Sequence, residues 1–520
     1  MKRSLYFCLT CLTLILWSSC RKDFDFQPSQ GELTFSKNTV YLDTVFTNIG
    51  SSTYNLKVFN RSDQDISIPT LRLGQGQASS YRLNVDGMAG KEFQNVEILA
   101  KDSLFIFIET TIDIQTLVTS KNQFLYTDVI EFDRGTNLQK VNLVTLVKDA
   151  VFIYPNKDSQ GLVETLTFDL DDDGVADKTE IQGRFLNDSE LKFTNAKPYV
   201  IYGYAGVAEN KTLTIDAGAR VHFHSNSGIL ITKNASLKVN GAFSPDQTTM
   251  VNEVIFESDR LEPLFKNIPG QWGTIWLFQG SKENEFNYAT IKNATIGILA
   301  ENNQNTNIPK LTIKNSKIYN SSNFGILGRA TSITAENVVF NIAGQSAFAG
   351  TYGGSYNFTH CTIANYWSNS FRQFPALYLN NFEILEDDSV KTNALSAANF
   401  NNCIIYGNDN PEFLLEEEPG ADFNFKFTNS LVKFDDPNNR FGTDANYDFK
   451  NTALYDNVVY NQDPDFRDPQ KNNLSIGQNS AAINVVGPNL YSNQVPFDLL
   501  KQSRTAAPDL GAYQHMVFEE

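Results

Sequence analysis

The chain has 520 residues, 42 basic against 59 acidic side chains and a net charge of −17. That balance argues against nucleic acid and polyanionic lipid as partners, and the length exceeds one hydrophobic core, so two or more domains are expected. Five cysteines in a chain of this size do not make a disulfide scaffold.

Lys2 and Arg3 lead an apolar run from Leu5 to Trp17 that closes on Ser18-Ser19-Cys20. A basic start, a short apolar core and small residues before a cleavage point make a secretory signal over residues 1–19 rather than a membrane span, which needs about 20 apolar residues. Cys20 directly after the small residues resembles the lipobox of bacterial lipoproteins, with Trp17 where that motif usually has Leu. The resemblance implies a diacylglycerol on the Cys20 thiol and a further acyl chain on its amine, anchoring a soluble domain in the outer membrane. Arg21-Lys22-Asp23-Phe24-Asp25 is similar to the export tag of Bacteroidota-type surface lipoproteins, which implies display toward the exterior. Residues 20–30 read as a polar tether.

From residue 31 to 150 short alternating segments recur, among them Thr39–Phe46, Asn55–Phe59, Tyr81–Val85 and Asp102–Glu109, broken by Gly, Asn, Ser and Asp. Short strands at this spacing predict a β-sandwich. The order of strands and turns resembles immunoglobulin-like domains, which serve as spacers or docking modules; no catalytic constellation lies within it.

Residues 151–195 are read as a junction. Within them, carboxylates stand at positions 1, 3, 5, 9 and 12 of a loop from Asp169 to Glu180, with Gly174 at position 6. This is the EF-hand loop pattern. Asp169, Asp171, Asp173, Asp177 and Glu180 would offer carboxylates and Val175 its carbonyl to a hard dication. Neither flank is helical in pattern, so the expectation is a bare, structural Ca2+ loop.

From 196 to 515 a unit recurs: strand, Asn, small residue, apolar residue, short turn. Asn293, Asn315, Asn337 and His360 mark successive units, at steps of 22, 22 and 23 residues, and Asn402 and Asn429 continue the set. Such a period predicts a solenoid whose coils stack a continuous core and line up their amides at the ladder spacing of about 4.8 Å. The region resembles right-handed parallel β-helices of the pectate-lyase-like superfamily, and its last part, Asp463–Gln514, is similar to the closing segment of β-helix surface proteins with a choice-of-anchor Q terminus. The expected fold is therefore all-β, a sandwich followed by a right-handed parallel β-helix with a C-terminal cap. Cys361 and Cys403 fall at one offset of the repeat, as a buried thiol pair or a disulfide.

The sequence holds no recognisable catalytic motif. His222 and His224 share a strand face without an evident third ligand, and Arg329 and Arg372 are isolated candidates for a lyase base. Two stretches suit a glycan instead: Trp272 and Trp276, four residues apart beside Gly273, and an excursion between Tyr366 and Leu395 that holds Trp367 and Arg372. The favoured reading is a non-catalytic surface lipoprotein binding glycan or a partner protein. A polysaccharide lyase or glycoside hydrolase, and a structural accessory of an outer-membrane complex, are the alternatives. An enzyme predicts acids and bases converging in a groove; a binder predicts aromatics without them.

Overall fold

The structure, a computed structural model, describes residues 25–117, 123–171, 173–302 and 308–518. Cys20 and the expected leader lie outside the described residues. The chain divides into two units, at Asp149 and Ala150.

The first unit is a two-sheet sandwich. One sheet runs Gln27–Pro28, Ile66–Leu73, Gln123–Phe132, Gln139–Lys148, Thr39–Phe46, with Glu92–Ile98 also paired to Ile66–Leu73; the other runs Thr34–Phe35, Tyr54–Phe59, Ser103–Thr110, Tyr81–Val85, Met88–Gly90. Alternation decides which side chains meet between the sheets. Strand Ser103–Thr110 buries Ile106 and Ile108 and turns Phe105 and Phe107 outward. Leu56, Val58, Leu83, Val85, Ile130, Val141 and Leu143 complete one core shared by both sheets. Tyr81 satisfies its buried hydroxyl on the Tyr126 carbonyl (3.2 Å) and Thr145 (3.0 Å). The chain comes in beside Ile66, to which Gln27 pairs, and leaves at the opposite end, where Lys148 lies across from Gln123 and Phe46.

The second unit is a parallel β-helix. One coil consists of Asn284–Asn287, Ala289–Lys292 and Ala294–Glu301; the next of Leu311–Lys314, Lys317–Ser321 and the start of Phe324–Glu336, each strand pairing in parallel with its counterpart. Three parallel sheets result. Their inward positions, such as Phe286, Ile291, Ile298, Ile313, Ile318 and Ile326, fuse into one core. Phe358, Phe400, Phe427 and Tyr455 stack in file along it, with centroids 5.3, 5.0 and 5.6 Å apart. Parallel pairing begins within the expected junction, before residue 196: Val151–Ile153, Asp177–Phe185 and Lys192–Phe193 already belong to the three sheets. Residues 151–195 therefore form the opening of the solenoid.

The amide ladder is real but its register differs from the expectation. Asn315, Asn337, His360, Asn402 and Asn429 occupy one turn, all left-handed (φ 49, 53, 51, 53 and 49°). Asparagine tolerates that backbone better than other residues with a Cβ, and its amide reaches the next coil. Asn337 donates to Asn315 Oδ1 (3.0 Å), Asn429 to Asn402 Oδ1 (3.1 Å), and Asn402 meets His360 Nε2 (2.9 Å). Asn293 is not in this file. Its strand, Ala289–Lys292, pairs with Lys317–Ser321, so Asn293 stands opposite Asn320, and Tyr288 (φ 45°) fills the place before Asn315. Both turns follow a strand with a left-handed residue, which made them look alike in the repeat.

Cys361 and Cys403 are free, buried and one coil apart, so the disulfide reading is set aside. The C-terminal segment is not an end cap. An aromatic cluster of Phe413, Phe434, Phe441, Tyr447 and Phe449 closes that end of the core. Residues beyond 461 instead run back along an outer flank, laying Leu474, Leu499, Ala512 and Tyr513 on Tyr288, Val339 and Ala364, and Ile476, Ala482 and Leu510 on Ile404 and Leu431.

Candidate functional site

Three of the four side chains expected to bind a ligand are interior. Trp272 is 1% exposed, stacked on Phe223 with centroids 4.2 Å apart, and its indole N–H donates to the Lys292 carbonyl (2.9 Å). Trp276 points the other way, because Thr274 and Ile275 are buried in succession, which breaks the parity that four residues of regular strand would keep. Trp367 is buried and its N–H donates to Ser370 (3.1 Å). Arg372 forks onto buried Glu412 (2.7 and 2.9 Å), with Asp409 at 3.1 Å. It ties the excursion to the next coil. A ring or guanidinium so enclosed cannot meet a glycan, so Trp272, Trp367 and Arg372 are packing residues.

His222 and His224 also find partners of their own. His222 Nδ1 lies 3.0 Å from the Ser258 carbonyl and His224 Nδ1 2.8 Å from Asp259. Among the described residues only Asp169, Asp171 and Asp177 gather as a cation-sized group, their oxygens within 4.8 Å of one another. Gly174 makes the sharp bend at φ 87° with open space around it. Asp173 turns back onto the Val175 N–H (2.7 Å), and Glu180 lies on strand Asp177–Phe185 on the face opposite to buried Thr179. The loop thus brings together three of the expected ligands and holds Asp173 and Glu180 apart from them.

A cleft on the second unit was not anticipated from the sequence. It encloses about 530 Å3 along one edge of the third sheet, with Gln279, Asn302, Arg329, Tyr352 and Glu383 in its lining. Register explains its floor. Glu301 pairs with Arg329, and Arg329 with Thr351, the neighbour of Tyr352, so successive coils present Glu301, Arg329 and Tyr352 to it in turn. A parallel row, Leu230, Trp276, Leu299, Leu327 and Ala349, is apolar. The antiparallel hairpin Phe382–Ile384 and Val390–Thr392 adds Glu383 and Lys391, and Leu170 of the acidic loop adds the other wall, held by Gln279 Nε2 on its carbonyl (2.5 Å).

Charge inside the cleft is balanced. Glu383 is paired with Arg329, Lys391 lies 3.9 Å from Glu383 and 5.5 Å from the Tyr352 ring centre, and Glu301 accepts from the Trp276 indole (2.5 Å). Beneath it lies Lys310, 1% exposed, whose ammonium donates to the carbonyls of Phe278 (2.6 Å), Asn302 (2.8 Å) and Glu301. Burial pushes Lys310 down to about 7, with the Glu301 charge opposing the shift. Of the sequence candidates, Arg329 lines this site, and Trp276 touches it through the hydrogen bond to Glu301. The signal that could have found it is a polar residue one position beyond each Gly-apolar strand, on consecutive coils.

No family profile and no curated protein matches the chain. Among solved structures it is similar to a family 123 glycoside hydrolase from Clostridium perfringens (TM-score 0.16, 8% identity, 24% of this chain and 30% of that one). It is also similar to the catalytic unit of a thermostable GH87 alpha-1,3-glucanase from Streptomyces thermodiastaticus strain HF3-3 (TM-score 0.25, 10% identity, 73% of this chain and 79% of that one). The chain spans less than a third of the first of these proteins, and both likenesses are too slight to bear on activity.

Proposed function

We propose that this protein is a lipoprotein of the outer membrane, anchored through Cys20 and facing outward, whose β-helix holds a glycan in the cleft at Arg329 without cleaving it. The observation that carries the reading is the repetition of the floor. Side chains supplied coil by coil at about 4.8 Å suit an extended polymer lying along the axis. The Tyr352 ring in the lining offers contact to a sugar face, while Arg329, Asn302, Gln279 and Asn393 offer hydrogen bonds to hydroxyls. Balanced charge favours a neutral saccharide over a uronate.

The acidic loop supports the same wall. Ca2+ held by Asp169, Asp171 and Asp177 would relieve their mutual repulsion and fix Leu170 at the cleft edge. Adding Ca2+ should raise the thermal midpoint, by the equivalent of about 2.7 kcal/mol at a hundred times its dissociation constant. Asp169→Asn with Asp177→Asn should abolish the effect.

One observation favours a second reading, a glycoside hydrolase: Glu301 and Glu383 both reach the cleft. Each is already held, by Trp276 and by Arg329, which is why binding is preferred. Glycan-array binding of the chain, with turnover assayed on every hit, separates the two. Binding that falls at least tenfold in Arg329→Ala and Tyr352→Ala, with no released oligosaccharide, is expected. Cleavage that disappears in Glu301→Gln or Glu383→Gln would replace the binder with the hydrolase.

A further inference from the structure

The outer face of the second sheet in the N-terminal sandwich carries an uncovered aromatic strip. Phe105 and Phe107 are each 45% exposed, their rings nearly parallel with centroids 6.3 Å apart. Phe59 lies beside them on the neighbouring strand. Lys57 Nζ stands 5.0 Å from the Phe105 ring centre and 5.3 Å from that of Phe59, and the Arg61 guanidinium lies 4.2 Å from Phe59.

These two cations differ from their neighbours. Arg82 pairs with Glu109 (3.5 Å) and Lys101 with Asp63 (3.0 Å), but neither Lys57 nor Arg61 makes an ion pair among the described residues. In a chain of net charge −17, a face whose aromatics are flanked by unbalanced cations is set apart from the general surface. A glycan platform would surround its rings with acceptors for hydroxyls; here cations rest on the rings instead.

Position identifies the occupant. Gln27 donates its N–H to the Asp65 carbonyl (2.9 Å) and pairs with Ile66, while Thr34 pairs with Phe59. The chain therefore arrives at the corner that holds Phe59 and Arg61. Gln27 is seven residues from Cys20, a span of about 25 Å at full extension. We propose that this strip is a membrane-contact face: Phe59, Phe105 and Phe107 enter the interfacial layer of an anionic lipid surface, and Lys57 and Arg61 meet its phosphates. Rings seated at the headgroup boundary with basic side chains reaching the phosphates are what holds peripheral segments on such surfaces.

The nearness to lipid rests on the proposed acylation of Cys20; the contact itself needs no acyl chain, which allows the two to fail separately. The full chain bearing Cys20→Ser is mixed with vesicles rich in phosphatidylglycerol or made of phosphatidylcholine alone, and sedimented. Preferential, salt-sensitive sedimentation with the anionic vesicles is expected. Lys57→Glu with Arg61→Glu should weaken it at least about tenfold, each cation near such a surface being worth roughly fivefold. Phe105→Ser with Phe107→Ser should weaken it comparably, with an unchanged near-ultraviolet spectrum reporting the fold. Equal sedimentation of variants and parent, or none with either vesicle, overturns the contact face. Mass spectrometry of the Cys20 peptide from the exported protein tests the anchor independently: a bare thiol overturns the anchor and leaves the vesicle result standing.

Discussion

Arg504 donates to the Asn337 side-chain oxygen at 2.8 Å across 167 residues of chain, both groups being buried. The same guanidinium donates to the carbonyls of Phe497 (2.6 Å) and Gly511 (2.9 Å). One side chain thus joins the returning C-terminal segment to the amide ladder. Arg504→Met removes a cation from among three acceptors and leaves buried Asp498 without a compensating charge nearby. Loss of about 3–5 kcal/mol is expected, from urea unfolding of the β-helix, together with faster hydrogen exchange at Gly511.

Asn315 serves the ladder in two ways, through its backbone and through its amide. Asn315→Ala should cost roughly 2–3 kcal/mol, from a left-handed backbone disfavoured by about 1–2 kcal/mol and a lost hydrogen bond of about 1 kcal/mol. Asn315→Gly restores the backbone freedom but not the amide, so it should recover most of the first part only. Equal losses in both variants would mean that the left-handed turn contributes nothing.

The pair of Arg372 and Glu412 lies wholly inside the protein, and burial pushes Glu412 upward against the pull of Arg372. Arg372→Met strands a buried carboxylate, which should cost about 3–5 kcal/mol. Arg372→Met combined with Glu412→Leu removes both charges and should be less destabilising than the single change. Chemical denaturation of the two variants checks the order.

Lys310 gives a pH dependence of definite sign. In the folded protein its ammonium loses a proton near 7, whereas the unfolded chain keeps it to the ordinary value of 10.5. Between these limits the unfolded state holds more protons, so this residue makes stability rise with pH from about 7 to about 10.5 and level off below 7. Lys310→Met should flatten that rise relative to the parent, in thermal midpoints recorded from pH 6.5 to 9.5. A parent and variant with parallel profiles would contradict it.

The coils were legible in the sequence because strand, left-handed residue and strand recur at a nearly fixed step, and only Asn, Gly or a tolerated substitute can take the bend. The same rule misled at Asn293, since two turns of each coil satisfy it and spacing alone does not say which. A regular strand would put Trp272 and Trp276 on one face, but Thr274 and Ile275 are both buried, and the alternation breaks between them. The cleft escaped notice because its floor comes from single residues on different coils and one wall from a hairpin. Three-dimensional alignment of Glu301 with Arg329 follows only once the pairing of their strands is known. The acidic loop was read from its own residues, yet its strand geometry takes Glu180 out of the group.

The flank sealed by the returning segment has a consequence for how the polypeptide acquires its shape. A polypeptide synthesised from its N-terminal side can wind coil upon coil as it emerges, but the side bearing Val339, Ala364 and Ile404 stays wet until residues 474–513 come out. Winding is local and progressive, while sealing waits for residues 474–513, far along the chain from the coils they cover. A nascent molecule halted before Leu474 would therefore carry a finished spool with one greasy side, the state in which chaperone capture and sticking between molecules should be greatest.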